Sequence, residues 1–166
     1  MARECLTRVL FFSLILLLGG AGESSALGRE SFDRIVDFSV TIKTLSQMPP
    51  AQEADFLKSG KLFLLNGTVT GILFVNPDEE GFSVRVELVS GEWLGLEEVK
   101  SYRCTVSFKG KEYFGFFPRR LPQNPTADMI AVNDRILVVA RALQRASGEK
   151  GEPAWLLEGF HIRRLR

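Results

Sequence analysis

The sequence predicts an all-β domain with a small helical content. Several segments alternate apolar and polar residues with a period of two, the pattern of a strand with one buried face. Glycine, proline and asparagine separate these segments and are typical of turns. The 166 residues are 45% hydrophobic and 25% charged, which favours one folded globular domain over a disordered chain.

Residues 1–26 have the composition of a secretory signal peptide. Two arginines precede the apolar run 9–18, and small residues lead up to Ala26. The run is about half the roughly 20 residues that a membrane-spanning helix needs. We therefore predict cleavage after Ala26, with Ala21 as the second candidate site and an uncleaved anchor as the alternative.

The cysteines bear on the compartment. Cys5 lies in the leader, so the cleaved chain holds only Cys104 and forms no internal disulfide. Small secreted animal domains usually contain several disulfides, and their absence favours the bacterial periplasm, with secretion as the alternative. No cysteine directly follows the apolar run, which argues against a lipid anchor, and no transmembrane helix is expected after cleavage.

The cleaved chain divides near Gly60 into a lead-in, 27–60, and a β domain, 61–166. Alternation over residues 36–42 predicts a half-buried strand in the lead-in. Pro50 suits the first turn of a short helix that would end at Gly60.

The β domain begins with a long strand over residues 63–75. Gly67 and Gly71 lie within it and indicate bending or a bulge. Leu73 and Val75 have the same parity as Phe63, so the alternation places all three on one face.

Two further alternating strands follow, 82–88 and 102–108. Ser90-Gly91 and Gly95 are expected to break the first of them. Between the two strands, Trp93 lies in a connection that Val99 would hold to the core.

The remainder of the domain is less regular. Residues 113–117 continue or return the preceding strand, 118–125 contain three prolines, and 126–132 suit one helical turn. Apolar residues 136–142 and the segment 155–163 predict the last two strands.

The order of elements, three strands, a short helix and two strands, resembles the OB-fold, a five-stranded Greek-key barrel. The resemblance covers about residues 61–165 and is carried by the bent segment 63–71 and the strand segment 133–141 after the helix. Another small antiparallel barrel or sandwich is the alternative. The resemblance implies binding of oligonucleotides, oligosaccharides or proteins across the second and third strands.

Catalytic groups are scarce. His161 is the only histidine, and Cys104 lies on an apolar strand face, so we expect no nucleophile–base pair between them. Acidic residues 78–80 and 97–98 fall on loops, and we predict no metal site and no cofactor. We expect a non-enzymatic protein, with a carboxylate-dependent hydrolase as the alternative.

Aromatic and basic residues are concentrated between residues 102 and 120, near the binding face that the resemblance implies. Core aromatics beside solvated arginines are the alternative reading. The candidate binding residues are Arg85, Arg103, Lys109, Tyr113, Arg119 and Arg120.

We expect a binding or assembly module of the bacterial cell envelope whose partner is another envelope protein. A glycan or small ligand is the alternative, and the net charge of +1 argues against nucleic acid. The oligomeric state is left open. Residues 163–166 form a second basic cluster, for which a solvated tail and contact with an anionic membrane surface are both considered.

Export is tested on the protein recovered from its native cell envelope. Intact-mass measurement is expected to show a chain that begins at residue 27, because the leader carries the features that a signal peptidase reads. Recovery of the 166-residue chain in the membrane fraction would instead identify residues 1–26 as an uncleaved anchor.

Overall fold

The computed structural model describes residues 29–95, 98–120, 122–147 and 153–165. The chain divides into two compact units, Met1–Phe32 and Asp33–Arg166. The predicted signal peptide lies outside the described residues. In chain order the elements are α1 (Arg29–Ile35), β1 (Val36–Asp37), α2 (Ile42–Ser46), α3 (Pro50–Ser59), β2 (Leu62–Asn76), β3 (Ser83–Leu94), β4 (Glu98–Lys109), a 3-10 helix (Lys111–Phe116), β5 (Arg135–Ser147) and β6 (Pro153–Arg164).

Strands β2 to β6 of the second unit close into a five-stranded barrel. Each pairs with two neighbours in the cyclic order β2-β3-β4-β6-β5, and β5 pairs back onto β2. The pairings are antiparallel except for β4 with β6, which run parallel. This is the connectivity of the OB-fold, so the predicted fold class is confirmed, including one extra N-terminal strand and a few short helices.

The long strand β2 pairs with two partners and contains a bulge near the point where the two pairings overlap. Its first half, Leu62–Thr68, pairs with β5, and its second half, from Thr68 onwards, pairs with β3. The register shifts between Val69 and Gly71, so Thr70 is the extra residue of a bulge.

The bulge reverses the side-chain parity of β2. Phe63 and Val69 point into the barrel before it, whereas Ile72 and Phe74 pack against the core after it. Leu73 is therefore 61% exposed, and the prediction that it shares a face with Phe63 is wrong. Strict alternation assumes an unbroken pleat, and one extra residue moves every later side chain to the other face.

The predicted lead-in strand, residues 36–42, is shortened to β1, and a turn and an irregular stretch follow it up to the start of α2. Only the two residues of β1 pair with β2, in parallel. Thr41 then caps α2, because its hydroxyl accepts a hydrogen bond from the Thr44 amide while the Thr44 hydroxyl accepts one from the Thr41 amide. Ile42 and Leu45 are buried, and α2 covers one end of the barrel.

Contacts with the core residues Trp155 and Phe63 attach the lead-in to the barrel. The indole nitrogen of Trp155 donates a hydrogen bond of 2.7 Å to the Leu45 carbonyl. Phe56 of α3 stacks on Phe63 and meets Trp155 edge-on. Helix α3 begins at Pro50 and ends before Gly60, which adopts φ 59°, as the sequence predicts.

The 3-10 helix covers the other end of the barrel. Tyr113 is 9% exposed, packs against Phe108, and donates its hydroxyl to the Phe160 carbonyl at 2.9 Å. The prediction that residues 113–117 form a strand is wrong, since these aromatics close the barrel end from a helical turn. The helical turn predicted for residues 126–132 is not formed: the segment contains turns, with Ile130 buried and Val132 49% exposed.

Strands β3 and β4 form a hairpin longer than predicted. They pair without interruption from Ser83 with Lys109 to Leu94 with Glu98. Ser90 and Gly91 do not break β3, because β4 continues to supply hydrogen-bonding partners there. The pairing of β2 with β3 ends at Val89, so the last part of the hairpin extends beyond the sheet.

Among the described residues, no helix has the length and apolarity to cross a membrane.

Replacement of Gly159 by alanine tests the packing at the barrel end. An added Cβ would lie 2.6 and 2.7 Å from Phe108 Cδ1 and Cζ. Gly159→Ala is expected to lower the free energy of unfolding by about 1–3 kcal/mol in a denaturant titration. Gly115→Ala is the matched control, since a Cβ there meets no atom within 4 Å. Equal stability of the two variants would contradict this packing.

Candidate binding face

The outer surface of the β3–β4 hairpin collects three of the six predicted binding residues. Alternation along β3 and β4 buries Val84 and Phe108 and turns Arg85, Arg103 and Lys109 outward. Because directly paired residues of antiparallel strands share a face, these three cations lie on one surface. We call this surface, formed by the outward residues of β3 and β4, the binding face.

The other three predicted residues lie elsewhere. Tyr113 is a core residue, and its hydroxyl is bonded to the β6 backbone, so it is not available to a ligand. Arg119 and Arg120 are exposed on the irregular segment after the 3-10 helix, off the two strands that form the binding face. Residues that are close in sequence lie on a common face only while they belong to the same strand. Because β4 ends at Lys109, the residues that follow it do not share the face of β4.

The charges on the binding face are unequally neutralised. Arg103 contacts Glu87 at 3.2 Å, and Glu87 also accepts a hydrogen bond of 3.0 Å from the Thr70 hydroxyl. Arg85 and Lys109 make no ion pair with any described residue. Two cations are therefore free to meet an anion.

Two small polar side chains lie beside the charged residues of the binding face. Thr105 and Ser107 face outward from β4, opposite Glu87 and Arg85. Ser107 is buried, in part because longer neighbours flank it.

Trp93 is a residue of the binding face that the sequence analysis did not place there. It was expected to be held to the core, but it is 71% exposed near the tip of the hairpin, opposite the half-exposed Val99. Trp93 and Arg85 both have odd numbers, so alternation along β3 places their side chains on the same face. This pattern in the sequence could have assigned Trp93 to the binding face. The eight residue steps from Arg85 to Trp93 correspond to roughly 26 Å of strand.

A polar network ties the hairpin to α2. Lys43 Nζ lies 2.5 Å from Glu92 Oε1, and the Tyr102 hydroxyl donates a hydrogen bond of 2.8 Å to Glu92 Oε2. Hydrogen bonds from Lys43 and Tyr102 lower the pKa of Glu92. These residues border a cleft of about 280 Å³ that also includes Asn66 of β2.

The structure gives no arrangement for nucleophilic or metal chemistry among the residues it describes. Burial raises the pKa of Cys104 to about 12, and the thiol lies inside the barrel while His161 is exposed on its surface. No group of three metal-ligating side chains is found in the described ranges. Neither described cleft contains two facing carboxylates, the feature that a carboxylate hydrolase would require.

Comparison with known proteins finds similarity only at the level of fold. No family model matches the chain, and no curated protein matches it. Solved structures that match include a putative aspartyl-tRNA synthetase from Leishmania major Friedlin, at 13% identity over 75% of this chain and 20% of that one, with a TM-score of 0.46. A small single-stranded DNA-binding protein from Streptomyces coelicolor matches at 16% identity over 63% and 91%, with a TM-score of 0.39.

A third matching structure is the Plasmodium falciparum SSB complex with ssDNA, at 10% identity over 63% of this chain and 94% of that one, with a TM-score of 0.38. At such identities the likeness concerns the fold alone, which the closed barrel already establishes. This chain spans about a fifth of the length of the synthetase.

The predicted partners need correction. We expected an envelope protein and argued against nucleic acid, but the matching structures include proteins described as binding single-stranded DNA. The argument from a net charge of +1 was wrong because that figure sums the whole chain. It does not show how the charge is distributed, and the binding face holds two cations without an ion pair among the described residues.

Glu92→Gln is expected to loosen the hairpin, because the neutral amide loses the charge-assisted bond to Lys43. Amides of residues 90–94 should then exchange with solvent faster, as measured by hydrogen exchange, while those of residues 84–88 stay protected. The pKa of Glu92 is lowered in the fold, so its interaction with Lys43 stabilises the hairpin at pH values above the unfolded pKa of about 4.5. This stabilisation is lost as the pH falls through the pKa of the folded state. Acid should therefore reproduce the effect of the variant, and unchanged exchange in both cases would count against the network.

Proposed function

We propose that this chain is a non-enzymatic binding module that holds single-stranded nucleic acid across the binding face. The observation that carries the proposal is one surface with both unpaired cations and an exposed indole. Arg85 and Lys109 supply positive charge for phosphates, and Trp93 supplies a flat ring for a base. Proteins that bind single strands combine these two elements, a positively charged track and aromatic stacking platforms.

The geometry supports a single strand over a duplex. The cations and Trp93 follow one hairpin, and their separation of roughly 26 Å along β3 suits an extended chain of several nucleotides. Bases stacked on an indole must be unpaired, so a ligand that reaches Trp93 through its bases is single-stranded.

OB-folds commonly bind oligonucleotides on the face formed by their second and third strands, which correspond here to β3 and β4. This support is an analogy of fold, and it adds to the argument from the side chains without replacing it. Export to the periplasm is a separate proposal that rests on residues 1–26, and neither proposal depends on the other.

Trp93 provides a direct readout of binding. The chain contains two tryptophans, and the other, Trp155, is fully buried. Titration with an oligo(dT) 18-mer is expected to quench the fluorescence of Trp93 as a base stacks on it. Trp93→Ala should weaken binding by roughly 5- to 150-fold, the equivalent of about 1–3 kcal/mol per stacked base, and Trp93→Phe should retain most of the affinity.

Charge variants complete the test. Arg85→Glu and Lys109→Glu should each weaken binding and reduce its dependence on salt, because each removes a phosphate contact. Lys58→Glu is the matched control, since Lys58 is exposed on α3, away from β3 and β4. Binding that is absent in the wild type, or equally weakened by all three variants, would falsify the proposal.

A further inference from the structure

A second cleft lies where the paired ends of β5 and β6 meet the segment before β5. Its volume is about 610 Å³, and its lining includes Thr126, Asn133, Asp134, Arg135 and Arg164. We call it the arginine cleft. It includes part of the C-terminal basic cluster noted in the sequence, which the binding face does not use.

The arginine cleft carries a net positive charge. Asp134 is satisfied on both oxygens, because Oδ1 lies 2.8 Å from Arg164 and Oδ2 accepts a hydrogen bond of 2.8 Å from the Ala131 amide. Arg135 is exposed and makes no ion pair with a described residue. One guanidinium of the cleft is therefore free for an anion.

Backbone hydrogen bonds hold the cleft in place. The Asn133 amide donates to the Val69 carbonyl at 2.8 Å, and the Val69 amide donates to the Asp134 carbonyl at 2.9 Å. The Leu165 amide donates to the Arg135 carbonyl at 2.7 Å. The ends of β5 and β6 are thus tied to β2 beside its bulge, and the cleft does not have to be ordered by a ligand.

The strand register connects the arginine cleft to the binding face. Arg135 pairs with Thr68, Thr68 with Val89, and Val89 with Arg103, so one row of outward side chains crosses β5, β2, β3 and β4. Three interstrand spacings separate Arg135 from Arg103, which corresponds to roughly 14 Å. The row has an arginine at each end and uncharged residues between them.

We propose that the arginine cleft binds a phosphodiester group of the same nucleic-acid strand that crosses the binding face. The strand turns from the hairpin across β2 and places a phosphate at Arg135. This inference rests on the proposed function for the rest of the strand. It further specifies that a long oligonucleotide gains a contact that a short one cannot reach.

The experiment compares an oligo(dT) 18-mer with a 6-mer on wild type and Arg135→Gln. For the 18-mer, the variant should bind about 3- to 10-fold more weakly and lower the salt slope by about 0.7, the value for one phosphate contact on a single strand. Its affinity for the 6-mer should be unchanged. Arg163→Gln is the matched control, because Arg163 is exposed on β6 but does not line the cleft.

A second measurement separates the two possible failures. Dimethyl phosphate is titrated into wild type while the backbone amide resonances of Asn133 and Asp134 are followed by NMR. Shifts that disappear in Arg135→Gln support the cleft even where neither oligonucleotide binds, a result that would reject only the binding face. An unchanged 18-mer affinity in Arg135→Gln, or displacement of the 18-mer by a polyglutamate peptide at equal charge, overturns the phosphodiester assignment.

Discussion

The double pairing of β2 is the constraint on which the rest of the barrel depends. One strand of fifteen residues supplies hydrogen bonds to β5 along its first half and to β3 along its second. A strand without a bulge would keep one parity and could not turn its apolar side inward on both halves. The extra residue Thr70 reverses the parity, and the barrel closes with Phe63 and Ile72 both directed at the core.

Closure of the barrel also shapes the two surfaces for which we propose binding. Because β2 leaves β3 at Val89, the end of the β3–β4 hairpin extends beyond the sheet and exposes Trp93. On the other side of the bulge, the backbone of Val69 bonds to residues 133 and 134 and fixes the floor of the arginine cleft. The binding face and the arginine cleft thus both depend on β2 pairing with β5 along its first half and with β3 along its second half.

The two ends of the barrel are closed by different means. Ile42 and Leu45 of a short capped helix cover one end, and aromatic residues of a 3-10 helix cover the other. Tyr113 satisfies its buried hydroxyl on the backbone of β6, so the aromatic cluster costs no unpaired polar group. These contacts commit most of the aromatics of residues 108–117 to packing.

The sequence by itself determined the strand order, the fold class, the helix from Pro50 to Ser59 and the outward cations Arg85, Arg103 and Lys109. These follow from local periodicity, proline and glycine positions, and the two-residue repeat within a strand. Only the tertiary structure decided the face of Leu73, the continuation of β3 to Trp93, the burial of Tyr113 and the row from Arg135 to Arg103. The physical reason is that a bulge, a change of strand partner and the register between distant strands are set by pairing across the barrel.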